Sequence, residues 1–277
     1  MSVDISIVPP RGRRRIPPLR KGVYLLPNLF TSAGLFSGFY AIIATLNRQY
    51  RPAAIMILVA QACDMLDGRI ARLTRSASSF GVQYDSLADL VAFGVAPGIL
   101  VYTWALRPWG RWGWLAATLY VTCGALRLAR FNVQVGTVEK RHFVGLPIPA
   151  AACVIAATVL LYYYVGGHGD VESKKLLMLL VIFAVAGLMV SEVRYFSFKE
   201  IKFHRRHPFS VLIGLIVLIM LTIGAPEPML FLVITTYALS GPAILAGRIL
   251  SGRRRRAVAS DSGAITPVVL DKPSTPG

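Results

Sequence analysis

The chain has 277 residues, of which 55% are hydrophobic and 16% charged, with a mean hydropathy of +0.59. A soluble domain carries about 25% charged residues, so the composition excludes a disordered chain, argues against an ordinary soluble enzyme and describes a protein that crosses a membrane several times. Thirty Lys+Arg against 13 Asp+Glu leave a formal charge of +17; such a charge would suit nucleic acid or an anionic membrane surface, and the hydropathy selects the membrane and its lipids, with no nucleic acid as partner.

Residues 1–22 are basic and proline-rich (Arg11, Arg13, Arg14, Arg15, Pro17, Pro18, Arg20, Lys21) and read as a cytoplasmic tail. A secretory leader is not expected, because the apolar segment that follows is of spanning length and lacks a small-residue cleavage site. Spanning takes roughly 20 apolar residues as a helix, and eight such segments are predicted: 27–47, 52–74, 83–106, 111–131, 147–166, 175–193, 208–225 and 228–249. The last contains Pro242, where a kink is expected. The predicted fold is therefore all-α, a polytopic transmembrane helix bundle over residues 23–250. After it come 251–277, basic at first and then rich in Ser and Pro, which read as a disordered cytoplasmic tail. Eight spans leave both termini on one side, and that side collects 24 of the 30 Lys+Arg. The bias places both termini in the cytoplasm of a cell (inner) membrane. Cys63, Cys123 and Cys153 all lie in apolar runs, too few and too scattered for a disulfide framework or a zinc site.

Four of the 13 acidic residues fall within 26 positions, Asp64, Asp67, Asp85 and Asp89, in or at the ends of the second and third spans. Acids there are costly and mark function by default; the competing reading is helix-end acids paired with Arg69, Arg72 or Arg75. Register separates the two. At about 100° per residue, Asp64, Asp67, Gly68 and Ala71 share one ~100° stripe, and Gly81, Asp85 and Asp89 form an ~80° stripe on the next helix. Two antiparallel neighbours would bring the stripes together, with Gly68, Ala71 and Gly81 leaving room for a bulky group. Four carboxylates at one site cannot all stay ionised alone, and two divalent cations would neutralise them. Oxygen-only ligands suit Mg²⁺ or Mn²⁺, a pair of such ions is a standard device for phosphoryl chemistry, and Arg72 is within reach of a phosphate oxygen.

Residues 64–89 read D-M-L-D-G-R-I-A-R-L-T-R-S-A-S-S-F-G-V-Q-Y-D-S-L-A-D. The segment resembles, at every fixed position, the D-x2-D-G-x2-A-R-x8-G-x3-D-x3-D signature of the CDP-alcohol phosphatidyltransferases. Residues 85–97 (DSLADLVAFGVAP), 127–132 (RLARFN), 143–149 (FVGLPIP) and 26–31 (LPNLFT) are similar to the bacterial, integral-membrane phosphatidylserine synthase branch, so that the likeness covers about 22–250. The resemblance implies the fold of that family, usually as a homodimer, with an active site open to the cytoplasm. It implies transfer of the phosphatidyl group from CDP-diacylglycerol to an alcohol, L-serine in this branch, with release of CMP. By position, Asp64, Asp67, Asp85 and Asp89 would be metal ligands and Asp89 the candidate general base. Gly68, Ala71, Arg72 and Gly81 would line the CDP site.

Further candidates are weaker. Arg127 and Arg130, three apart at the end of the fourth span, would meet the serine carboxylate or a phosphate, with positive-inside anchoring as the alternative; Asn132 follows them. Asn28 and Thr31 would contact the nucleotide or cap the first span. His204 and His207 lie in a basic loop and read as solvated, Arg253–Arg256 as an orientation signal or an anionic-lipid contact, and Trp104, Trp109, Trp112 and Trp114 as an interfacial belt. Two other activities compete: transfer to another acceptor (glycerol-3-phosphate, inositol phosphate or choline), and divalent-cation transport through intramembrane carboxylates.

Overall fold

The computed structural model describes residues 25–74, 78–134, 145–171, 176–191, 193 and 220–262. The described residues are helical and contain no strand. In chain order they are α1 (Leu25–Leu46), α2 (Tyr50–Thr74), α3 (Ser79–Asp89), a π-helical stretch Leu90–Val95, α4 (Ala96–Val101), a second π-helical stretch Tyr102–Leu106, a 3₁₀ turn Arg107–Trp109, α5 (Arg111–Gln134), α6 (Ile148–Tyr164), α7 (Leu176–Val190) and α8 (Pro226–Ser262). Three stretches are long and apolar enough to cross a membrane, Leu26–Leu46, Phe80–Trp109 and Pro226–Leu245, and shorter apolar helices occupy Ile148–Tyr164 and Leu176–Val190. Seven of the eight predicted segments thus coincide with observed helix. The predicted span at 208–225 lies outside the described residues except for its last turn, as do the N-terminal tail, Arg75, the 194–206 loop, His204 and His207. Helix α8 continues through the expected start of the C-terminal tail to Ser262.

Prolines mark where these helices begin. Pro27, Pro52, Pro149 and Pro226 each sit in the first turn of α1, α2, α6 and α8, where an N–H would have no helical acceptor. Pro97 sits inside a span, where it offers no N–H to the carbonyl four residues back, Phe93 O. That carbonyl lies in the first π-helical stretch, and the fully buried Tyr120 hydroxyl donates to it at 2.8 Å. The tie locks α5 onto the helix that carries Asp85 and Asp89. Arg48, with φ of 58°, turns the chain between α1 and α2, and Gly110 (φ 55°) turns it into α5.

The sequence pattern anticipates α2 and α3 as direct neighbours; they instead pack on α1. Periodicity gives the face a helix buries, and α1 is small enough to serve both. Cβ added at Gly38 would stand 2.6 Å from Ala92 Cα, so only a glycine lets the π-helical stretch approach α1 this closely. The core is built from small and aromatic side chains such as Ala41, Ala60, Ala92, Ala96, Phe93, Tyr120 and Trp104. Trp104 departs from the expected interfacial belt: it is 1% exposed and packs edge-on against Tyr162 at 5.3 Å, whereas Trp112 and Trp114 are exposed. The three cysteines are free thiols.

Polar contacts sort the helix ends into two groups. At one end Arg48 pairs with Asp170 at 3.8 Å, Arg51 with Glu227 at 3.4 Å, and Val171 N–H donates to Trp104 O at 2.8 Å. At the other, the segment before α6 docks on the end of α7, with Gly145 N–H donating to Val193 O at 2.8 Å and Leu146 N–H to Leu188 O at 2.9 Å. Gly145 has φ of 83°, and Cβ there would meet Met189 O at 2.5 Å.

Candidate active site

The four aspartates line one cleft together with Thr31, Gly34 and Leu35 of α1, Ala60 of α2, and Ala88, Ala92 and Phe93. Carboxylate oxygens of Asp64, Asp67 and Asp85 lie within 4.8 Å of one another. Asp89 lines the same cleft one turn further along α3 and stands outside that closest trio. The two stripes read from the sequence therefore converge, with α1 as the floor between them.

Neutral donors hold these carboxylates. Thr31, buried on α1, donates to Asp67 Oδ2 at 2.9 Å and approaches Pro27 O at 3.1 Å. Gln61 Nε2 lies 3.4 Å from Asp64 Oδ2, and the Cys153 thiol reaches Gln61 Oε1 at 3.7 Å. Among the described residues no Arg or Lys forms an ion pair with any of the four, so helix-end pairing does not account for them. Asp67 is 5% exposed. Three carboxylates this close, one of them buried and none balanced by a side-chain cation, form a donor set that a hard divalent cation fits.

The other predicted residues surround this centre unevenly. Gly68 has open space where a side chain would be, bounded by Arg72 Nη2 at 3.9 Å. Ala71 is half-buried on the same helix, and Arg72 is exposed in its last turn. Asn28 lies beside Gly81, its Oδ1 3.4 Å from where Cβ would be, and Ser78 caps α3 by accepting from Gly81 N–H at 3.0 Å. Arg127 and Arg130 part company. Arg127 is half-buried and its Nη1 lies 3.4 Å from Met189 O, at the C-terminal end of α7, where a cation meets the negative end of the helix dipole. Arg130 is exposed. Asn132 contacts Ser86 of α3. Sequence reasoning passed over Gln61, Ser86 and the Ser32–Tyr84 pair, whose hydroxyl oxygens are 2.8 Å apart between α1 and α3; only a neighbour on another helix gives these ordinary polar residues a task.

The chain resembles known proteins. The chain is 39% identical to the CDP-diacylglycerol–serine O-phosphatidyltransferase of Helicobacter pylori over 193 residues, 70% of this chain and 81% of that one. It is 39% identical over 148 residues to the enzyme of the same name from Mycobacterium tuberculosis, 52% of this chain and 50% of that one. It is 41% identical over 129 residues to the archaetidylserine synthase of Methanothermobacter thermautotrophicus, 46% of this chain and 54% of that one. Residues 24–186, which hold the entire cleft, match the CDP-alcohol phosphatidyltransferase family, and the chain belongs to that family.

Proposed function

We propose that the protein transfers the phosphatidyl group of CDP-diacylglycerol to the hydroxyl of L-serine, forming phosphatidylserine and CMP. The observation that carries the chemistry is the convergence of Asp64, Asp67 and Asp85 without a balancing side-chain cation among the described residues. The names of the relatives carry the choice of acceptor.

Asp64, Asp67, Asp85 and Asp89 would hold two divalent cations, Mg²⁺ or Mn²⁺. When bound, these ions supply electrostatic stabilisation of the phosphate oxygens and the leaving nucleotide. Thr31 and Gln61 orient two of the carboxylates without adding charge that would compete for them. The open backbone at Gly68, with Ala71, Arg72, Gly81, Asn28 and Thr31 around it, receives the CDP group, and the Arg72 guanidinium offers a planar fork to a phosphate. Asp89, at the edge of the closest trio, takes the serine hydroxyl proton as the oxygen attacks phosphorus and CMP leaves. Arg127 and Arg130 supply positive charge on the side from which serine enters. The aspartate-bearing helices also expose Met65, Leu66, Phe80 and Leu87, so acyl chains can stay in lipid while the phosphates reach the carboxylates. In this reading the active site and both termini face the cytoplasm.

The test is an acceptor panel. Purified protein with CDP-diacylglycerol and Mg²⁺ or Mn²⁺ is given L-serine, glycerol-3-phosphate, inositol phosphate or choline separately. Release of CMP matched by phosphatidylserine, with serine alone, is expected. Release with glycerol-3-phosphate and none with serine would assign another acceptor.

A further inference from the structure

The RLARFN stretch places Asn132 near the end of α5, where a contact with serine or phosphate was expected. Its side chain is committed to another helix. Asn132 Nδ2 lies 3.0 Å from Ser86 Oγ, and Asn132 Oδ1 lies 3.2 Å from the same oxygen. Ser86 Oγ is also 3.0 Å from Val82 O, one turn back on α3. A hydroxyl has one proton to give. Whichever acceptor takes it, Val82 O or Asn132 Oδ1, the Asn132 amide N–H donates into the Ser86 oxygen, which makes a polar tie from α5 to α3.

Position on α3 gives that tie its meaning. Gly81, Asp85 and Asp89 sweep one ~80° stripe, and Ser86 lies ~60° beyond Asp89 on its far flank. On the near flank is Tyr84, whose hydroxyl is 2.8 Å from Ser32 Oγ of α1. The aspartate face is therefore bracketed by a tie to α1 and a tie to α5, and turning α3 about its axis strains one or the other. Both ties are neutral, so neither competes with a cation for the carboxylates.

We infer that Ser86 and Asn132 are a pair of positioning residues that set the rotation of α3, and with it the placement of Asp85 and Asp89 opposite Asp64 and Asp67. Asn132 acts through Ser86 and does not touch the amino-acid substrate. The inference rests on the reading of the aspartates as the cation-holding centre.

The test uses the full-length protein as wild type, Ser86→Ala, Asn132→Ala, the double variant and Ser86→Thr. Two readouts are taken: Mn²⁺ binding by electron paramagnetic resonance without substrates, and kinetics with CDP-diacylglycerol and serine. Each alanine variant is expected to weaken Mn²⁺ binding and lower kcat by about tenfold, with the double variant no worse than either. The KM for serine stays within about twofold of wild type, and Ser86→Thr, which keeps the hydroxyl, retains both properties. Ser86→Ala introduces the best helix former, so the fold should persist, as size-exclusion chromatography would register. Multiplying losses in the double variant would overturn the inference. So would equal loss in Ser86→Thr and Ser86→Ala, or an Asn132→Ala that raises the KM for serine by about tenfold beside a normal Ser86→Ala. The Mn²⁺ readout separates the two failures: coupled loss of binding in a protein that makes no phosphatidylserine refutes serine transfer and leaves the pair standing, and uncoupled losses in a protein that makes it do the reverse.

Discussion

Asp67 has its surroundings almost fully specified: 5% exposed, it accepts from Thr31 at 2.9 Å and shares a 4.8 Å neighbourhood with Asp64 and Asp85. A hydrogen bond to a charged acceptor contributes about 1.5–3 kcal/mol, so Thr31→Val should lower kcat/KM roughly 10- to 100-fold while Thr31→Ser stays near wild type. Steady-state kinetics of the two variants decides, and equal behaviour would show that the hydroxyl has no part in setting the carboxylate. Asp85→Asn and Asp89→Asn remove charge without changing shape, and each is expected to abolish turnover in a protein that still inserts and purifies as wild type does. Near-normal phosphatidylserine formation by either variant would contradict their roles. The aspartates were legible in the sequence because a charge inside an apolar span has few reasons to be there. Gln61 was not, since an uncharged amide in the middle of α2 names no partner until Asp64 is found 3.4 Å from it and Cys153 of another helix 3.7 Å on its other side.

Between elements the decisive contacts are those of α1 and α5 with the helix that begins at Ser79. Gly38 admits Ala92, and Tyr120 donates to Phe93 O in the first π-helical stretch. Tyr120→Phe would remove a buried hydrogen bond to Phe93 O, costing about 1–2 kcal/mol and lowering Tm by about 3–6 °C. Thermal unfolding in detergent measures it, and an unchanged Tm would mean that the carbonyl finds another donor. Helix positions were legible from apolar run length. The π-helical stretches were not, because Pro97 signals only a disturbed ladder, and the hydroxyl that ties the first of them to α5 belongs to Tyr120, 23 positions beyond it in the chain. Likewise, periodicity gave the two aspartate stripes but not the helix between them. Trp104 read as an interfacial ring because hydropathy carries no information on which side of a helix faces protein.

For the whole molecule, the two groups of helix ends carry the functional geometry. Arg48, Arg51, Asp170 and Glu227 gather at one end; Asp67, Ser86, Asn132, Arg127 and the Gly145 turn gather at the other. If the carboxylates hold the cations on which turnover depends, chelation with excess EDTA should abolish CMP release and Mg²⁺ or Mn²⁺ should restore it, whereas full activity after exhaustive chelation would separate the cleft from metal chemistry. The most direct measurement is the number of Mn²⁺ ions bound per chain by the purified protein at equilibrium, in wild type and in Asp67→Asn. Two ions in the wild type and fewer in the variant are expected; equal binding in the two, or none in the wild type, would contradict the assignment of the aspartates.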